Sequence, residues 1–263
     1  MIYIAKKDMR TLVLLIEYDG TDLSGWQIQP NARTVQEDIE KALLKLTGKR
    51  YGLSGSGRTD AGVHAAGQCA HAGIDYDFTI PENKVALALN SNLKKDIRIK
   101  NAKIINRQFH ARFDAVAREY SYSIATRESV FTRFFSTYYR YIFDPDLLNQ
   151  AAGIFTGEHD FTTFSKLNES TKSYVCNVEK CKWSRVDEYT YRLKIKADRF
   201  VYGMVRALTG VMLEAASGKI SINEIEKALK EKDRKYSVAL APPQGLILEK
   251  VYYTRENDFF SDQ

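Results

Sequence analysis

Arg58 and Asp60 stand two residues apart in Gly55-Ser56-Gly57-Arg58-Thr59-Asp60-Ala61-Gly62, a segment with three glycines in eight residues. Glycine at that density lets the backbone turn tightly and approach a neighbour closely. The Gly-Lys-Ser/Thr ending of a phosphate loop is missing, so this is no mononucleotide cradle. Spacing alone leaves two readings. In one, Asp60 or Thr59 caps its own backbone in a structural turn. In the other, Asp60 is a working carboxylate, either a proton acceptor or a nucleophile. Arg58 favours the second. A turn needs no cation there, whereas a site handling an anionic backbone does.

The other reactive side chains are sparse. Cys69, Cys176 and Cys181 are the three cysteines. An odd set argues against a disulfide framework. Cys176 and Cys181 have no further ligand nearby for zinc, so buried thiols in a reducing compartment are expected. His64, His71, His110 and His159 suit no helical metal pair and read as hydrogen-bonding or RNA-contacting groups. Basic residues recur beside aromatics in Arg107-Gln108-Phe109-His110-Ala111-Arg112, Arg133-Phe134, Tyr139-Arg140-Tyr141 and Arg199-Phe200. Such pairs suit a surface that reads RNA shape and phosphates. The formal net charge of +6 is compatible with a polyanionic partner.

Longer blocks carry a resemblance. Gly57-Arg58-Thr59-Asp60-Ala61-Gly62-Val63-His64-Ala65 resembles the signature of the tRNA pseudouridine synthase A family. Glu17-Tyr18-Asp19-Gly20-Thr21 with Gly25-Trp26-Gln27 resembles the family's first strand and loop. Phe109-His110-Ala111-Arg112-Phe113 with Ala117-Arg118-Glu119-Tyr120 resembles its central block. Gly157-Glu158-His159-Asp160-Phe161-Thr162, Phe200-Val201-Tyr202-Gly203-Met204-Val205-Arg206 and Gly245-Leu246 resemble later ones. The blocks keep family order over nearly the whole chain.

The resemblance implies a role for each matched residue. Asp60 corresponds to the catalytic aspartate and Arg206 to the basic residue that pairs with it. Tyr120 corresponds to the tyrosine that packs on the target base and moves a proton. Leu246 lines the uracil pocket, and Arg58 helps displace the target base. The implied reaction breaks the bond from ribose to uracil N1, turns the ring and joins C5 to the same carbon. Nothing is oxidised or hydrolysed, so neither cofactor nor metal is implied. The carboxylate attacks the sugar, attacks the ring or takes a ribose proton, and the sequence does not choose among these. The target uridine is stacked in a helix and must be extruded. The implied substrate is the anticodon arm of tRNA at uridines 38, 39 and 40, bound by a homodimer. A paralogue with another RNA target would show the same blocks. A non-catalytic RNA-binding module would be expected to lack Asp60, Tyr120 or Arg206.

These residues need a scaffold, and 263 residues, 44% of them hydrophobic, suffice for one large core or two modest ones. Charged residues make up 27%, so the chain is neither membrane-like nor disordered in composition. The run Thr11 to Ile16 is too short for a signal segment or a spanning helix, and Glu17 ends it. A cytoplasmic location without membrane attachment is expected.

Leu12 to Tyr18 reads as a buried strand. Thr34 to Leu46 reads as an amphipathic helix with a Thr34/Glu37 capping box and a stop at Gly48. Tyr51 to Ser54 and Val63 to Ala72 are extended segments flanking the loop. Pro81 opens a helix to about Leu89, and Ile97 to Ile105 is a strand. Tyr120 to Ile124 alternates like a half-buried strand. Asp144-Pro145 opens a helix through Phe155. Tyr174 to Trp183 and Tyr189 to Ala197 are strands, and Phe200 to Ala216 is an apolar helix. Ser221 and Glu224 cap a short helix, and Gly245 to Tyr253 is the last strand. The tail from Glu256 to Gln263 is expected to fray. Each half reads strand–helix–strand–strand–helix–strand. The expected fold is α+β: two ferredoxin-like or RRM-like lobes with mostly antiparallel sheets around a central cleft. The expected lobes are 1–108, carrying the Asp60 loop, and 109–263, completing the site.

Overall fold

The computed structural model describes residues 10–236 and 239–260. The chain divides into two compact units. One runs to Val116 and resumes at Leu248; the other is Ala117–Ile247. No helix among the described residues is long and apolar enough to cross a membrane.

The first unit is built on β1 (Arg10–Tyr18), which lies between β3 (His64–Ile74) and β4 (Ile97–Ile105) and pairs antiparallel with both. Leu12, Val13, Leu14 and Ile16 are fully buried, as an unbroken apolar run requires when both faces are covered. The register of β1 on β3 shifts between Ile16 and Tyr18, so Tyr18 lands opposite Ala65, beside the loop that precedes β3. Helix α1 (Val35–Thr47) starts where expected: the Thr34 side chain accepts from the Glu37 backbone N–H at 3.4 Å. The reciprocal half of that capping box does not form. Glu37 instead bridges Lys41 at 2.7 Å, the ordinary partner one turn on. Gly48 ends α1 at φ 70, donating its N–H to the Leu44 carbonyl. Helix α2 (Glu82–Asn90) follows Pro81 and ends on Asn90, whose amide both donates to and accepts from the Ile99 backbone of β4.

Just ahead of α1, Arg33 grips Asp96 through both guanidinium nitrogens and Asp38 through Nε. The Asp96 carbonyl accepts from the Asp19 N–H. The Arg33 guanidinium holds the Asp96 carboxyl below the usual range. This clamp joins the start of α1, the start of β4 and the end of β1.

The last strand, β10 (Leu246–Tyr253), returns to this unit and lies next to β3. A side chain at Gly67 of β3 would strike the Glu249 carbonyl. Tyr253 donates to the Ala111 carbonyl at 2.7 Å, and its ring lies 5.2 Å from Phe109. Phe259 packs edge-on against Phe109, and Arg107 holds Asn257. The tail is therefore fixed through Phe260 and does not fray there; residues 261–263 lie outside the described residues.

The second unit carries strand order β5-β9-β8-β7: β5 (Ala115–Ala125), β9 (Thr190–Ala197), β8 (Val175–Arg185) and the short β7 (Gly157–Asp160). These pair antiparallel, and β6 (Thr137–Tyr138) adds a short parallel pairing to β5. Tyr120 to Ala125 are all buried, so β5 is covered on both faces and is not the half-buried strand that its alternation suggested. Helix α3 (Pro145–Ile154) has Asp144 as its cap and Pro145 in its first turn. Trp183 of β8 donates from its ring to the Met212 sulfur and from its backbone to the Asn149 side chain, which seats the sheet on its helices. Helix α4 spans Met204–Ala216, four residues shorter at its start than the apolar pattern implied. Gly203, at φ 74, is its cap, and a helix cannot run through that conformation. Helix α5 (Ile222–Glu231) has the complete Ser221/Glu224 capping box. Along the chain the strand–helix–strand–strand–helix–strand order runs once as β1-α1-β2-β3-α2-β4, where β2 is Ser54–Gly55, and again as β5-α3-β8-β9-α4-β10, with β6, β7 and α5 added. The architecture is the mixed α+β one expected, with mostly antiparallel strand pairing.

Candidate active site

Thr59, buried in the middle of the loop from Ser56 to Val63, pins it. Its hydroxyl meets the Tyr18 hydroxyl at 2.8 Å, and its carbonyl accepts the Trp26 N–H at 3.1 Å. The Tyr18 and Trp26 rings lie 6.3 Å apart and are both buried. Further ties fix the two ends. The Ser56 N–H donates to the Cys69 carbonyl, its hydroxyl meets buried Gln68 at 2.6 Å, and the Gln68 amide donates to the Gly57 carbonyl. Val63 donates to the Asp60 carbonyl and Gly62 to the Leu23 carbonyl. His64 is buried and accepts the Gly20 N–H on Nδ1 at 3.0 Å, which makes the nearby Asp19 contact something other than an Nδ1–H hydrogen bond.

Three glycines are required for this fit. A Cβ at Gly20 would strike the Val63 carbonyl oxygen. Gly25 sits at φ 89, and a Cβ there would lie 2.5 Å from the Thr59 carbonyl. A Cβ at Gly55 would lie 2.6 Å from the Trp26 ring. With Thr59 turned inward, its neighbours turn outward: Arg58 is exposed and Asp60 half-buried. The loop thus presents a carboxylate and a guanidinium from a backbone that cannot drift.

The second unit places the other expected residues. Tyr120 lies on β5 opposite Ile195, buried, with its ring edge-on to Phe200 at 5.1 Å. Arg206 is in the first turn of α4, half-buried, and donates from Nε to the Ala241 carbonyl at 2.7 Å. The Ala241 N–H returns to the Arg206 carbonyl, so a two-way tie holds the 241 segment on α4. Leu246 follows the 3-10 turn Pro243–Gly245 and is buried at the start of β10.

Tyr122 is the residue that sequence reasoning missed here. Its hydroxyl donates to the Pro242 carbonyl at 2.8 Å and meets the Thr137 hydroxyl at 2.6 Å. A Cβ at Gly245 would lie 2.7 Å from its ring. Burial pushes its phenol well above the ordinary tyrosine value. Tyr122 therefore stays neutral and anchors the turn that delivers Leu246.

The histidines take the hydrogen-bonding roles expected of them. His71 accepts the Ala111 N–H, and His110 accepts from Arg112 and Phe113. Their rings lie 4.6 Å apart, and burial, then the His110 charge, lowers the His71 pKa. Arg133 lies over Phe134 at 4.2 Å and Arg140 over Tyr141 at 5.1 Å.

The family profile described as tRNA pseudouridine synthase matches residues 14–114 and 151–254. The chain belongs to the tRNA pseudouridine synthase family. Tyr18, the Asp60 loop, Arg206 and Leu246 all fall inside the matched residues, and Tyr120 falls between them. Among relatives, tRNA pseudouridine synthase A of Bacillus pumilus is 38% identical over 90% of this chain and 97% of its own. That of Bacteroides fragilis is 39% identical over 92% and 96%. Among solved structures, a chain in an H/ACA RNP bound to a substrate RNA containing 2'-deoxyuridine aligns at TM-score 0.38 and 12% identity, over 95% of this chain and 49% of that one. As a member of the tRNA pseudouridine synthase family, the protein is an isomerase that converts uridine to pseudouridine in tRNA.

Proposed function

We propose that the target lies in the anticodon arm of tRNA, at uridines 38, 39 and 40, and that Asp60 is the catalytic carboxylate. The observation that carries this reading is the placement of Thr59: buried and tied twice, it turns Arg58 and Asp60 outward from a rigid loop inside the family's matched region. Asp60 begins the reaction ionised, as an attacking group or as a base toward the ribose. Arg206 pairs with it, orienting the carboxylate and offsetting the cost of drying it beside a base. Tyr120 packs on the uracil and moves a proton, and Leu246 supplies an apolar wall. Arg58 props the gap left by the extruded nucleotide, whose unstacking costs a few kcal/mol. The two glycosidic steps balance: the N1–C1' bond breaks, a C5–C1' bond forms, and the C5 proton leaves while N1 gains one. The working form is a homodimer in the cytoplasm whose tRNA spans both subunits.

The test is direct. Unmodified total tRNA is incubated with wild type and with Asp60→Asn, and pseudouridines are mapped by chemical labelling and primer extension. New pseudouridine in the anticodon arm with wild type, and none with Asp60→Asn, is expected. Sites elsewhere would move the target; full activity in Asp60→Asn would remove Asp60 from its role. Light scattering of the purified chain at working concentration is expected to give twice its mass, and a monomer would overturn the dimer.

A further inference from the structure

The outward face of β8 and β9 sets like charges directly opposite one another. Lys180 pairs across the ladder with Lys196, and Lys182 with Lys194; Arg192 faces Ser184 on the next rung of the same face. Cys181, Trp183, Leu193 and Ile195 point the other way and are buried, so the cations share the solvent side. A register shift at Glu179 creates the arrangement, because it brings Lys180 rather than Glu179 opposite Lys196. Glu179 still bridges Lys196 at 2.5 Å, and Arg192 donates to the Ser123 hydroxyl. Lys180, Lys182 and Lys194 are exposed and have no carboxylate within ion-pair distance among the described residues.

Like charges directly opposite in a sheet destabilise it. Two successive Lys–Lys rungs therefore work against the strand pairing they sit on. Cross-strand neighbours lie about 5 Å apart and alternate residues about 6.8 Å apart along a strand. The result is a lattice of lysine side chains whose attachment points the sheet fixes. Such a lattice is satisfied by a line of closely spaced anions, which a nucleic-acid backbone provides and a lone carboxylate does not.

We infer that the outer face of β8–β9 is a docking surface for the RNA sugar–phosphate backbone, with Lys180, Lys182 and Lys194 as its phosphate contacts. The inference rests on the reading of tRNA as substrate and adds where part of that tRNA is held. These lysines position RNA and read no bases, so they act on binding and leave the chemical step alone.

The experiment measures tRNA binding by filter retention across a salt series and turnover separately, for wild type and Lys182→Gln/Lys194→Gln. The double variant is expected to bind about ten-fold more weakly at low salt, with the slope of log K against log salt reduced by about 1.4 to 1.8, the value for two lost phosphate contacts. KM should rise and kcat stay level. Thermal stability should be equal or higher, because the repulsive Lys182–Lys194 rung is relieved. Lys182→Arg/Lys194→Arg should bind as wild type does. Lys41→Gln/Lys227→Gln, with the same loss of net charge elsewhere, should bind nearly as wild type does. An unchanged affinity and salt slope in the Lys182/Lys194 variant, or an equal loss in the Lys41/Lys227 control, would overturn the inference. Wild type that binds tRNA without forming pseudouridine would overturn the catalytic reading alone, and the binding comparison would still decide this one.

Discussion

Thr59 does two jobs with one side chain and one carbonyl, and both are interior. Thr59→Val keeps the shape but removes the buried hydrogen bond to Tyr18, which is 4% exposed. The expected cost is about 1 kcal/mol in chemical denaturation, the net contribution of one buried hydrogen bond. Activity at saturating tRNA should fall with it, because the middle of the loop loses its side-chain tie to β1. Arg206→Met retains the aliphatic stem and the packing of Val205, Ala207 and Leu208, all buried on α4. It loses the bond to the Ala241 carbonyl, about 1 kcal/mol. Under the proposed pairing it should unfold much as wild type does and lose most turnover; an active Arg206→Met enzyme would refute the pairing. The residue scale also marks where sequence reading stops. Asp60 could be singled out because its glycine-rich loop resembles a family signature and stands in order with the other blocks, whereas Arg58 and the glycines alone left a structural turn open. Tyr122 could not: it is one of 16 tyrosines, and what distinguishes it is a proline carbonyl 120 residues away.

Elements whose ends carry their own chemistry were legible. Thr34 and Gly48 bracket α1, Asp144-Pro145 opens α3, and the Ser221/Glu224 box opens α5, each because a local hydrogen bond decides the boundary. Elements decided by tertiary contact were not. Phe200 and Val201 are apolar enough to continue a helix, yet Gly203 turns left-handed, and Phe200 packs on Tyr120 instead. Strand β7 is four residues long with no alternation, and only pairing with β8 makes it a strand. Gly25 fits tightly against the Asp60 loop. Gly25→Ala places a methyl on the Thr59 carbonyl and strains a positive φ. It is expected to destabilise by about 2 kcal/mol or more, seen as a lower denaturant midpoint, and to reduce kcat with it. Gly57→Ala, whose Cβ meets nothing within 4 Å, should do far less.

Across the whole molecule, two titrations follow from burial and charge. Cys69, Cys176 and Cys181 are free and buried, and burial pushes each thiol up to about 12. At pH 8 roughly one in ten thousand would be thiolate. A thiol reagent should therefore titrate none in the native protein and three after unfolding; a rapid native reaction would contradict the burial. The Arg33–Asp96 clamp predicts the acid side. Asp96 has its carboxyl lowered in the fold, so its contribution is present above the ordinary carboxylate value of 3.8 and is lost as pH falls through the lower folded value. Asp96→Asn should be less stable than wild type at neutral pH, and the gap should narrow below pH 4. A gap that widens there would reverse the sign and refute the clamp. The path of the chain has a consequence for synthesis. The segment 117–247 is one uninterrupted stretch, whereas the first unit needs Leu248 to Tyr253 beside β3 and Phe259 against Phe109. On the ribosome, the unit whose residues emerge first is thus the last to be completed. While the rest is translated, the nascent first unit carries an uncovered β3 edge, with Gly67 open to a foreign strand, and a chain stopped short of Leu248 would keep that edge for good.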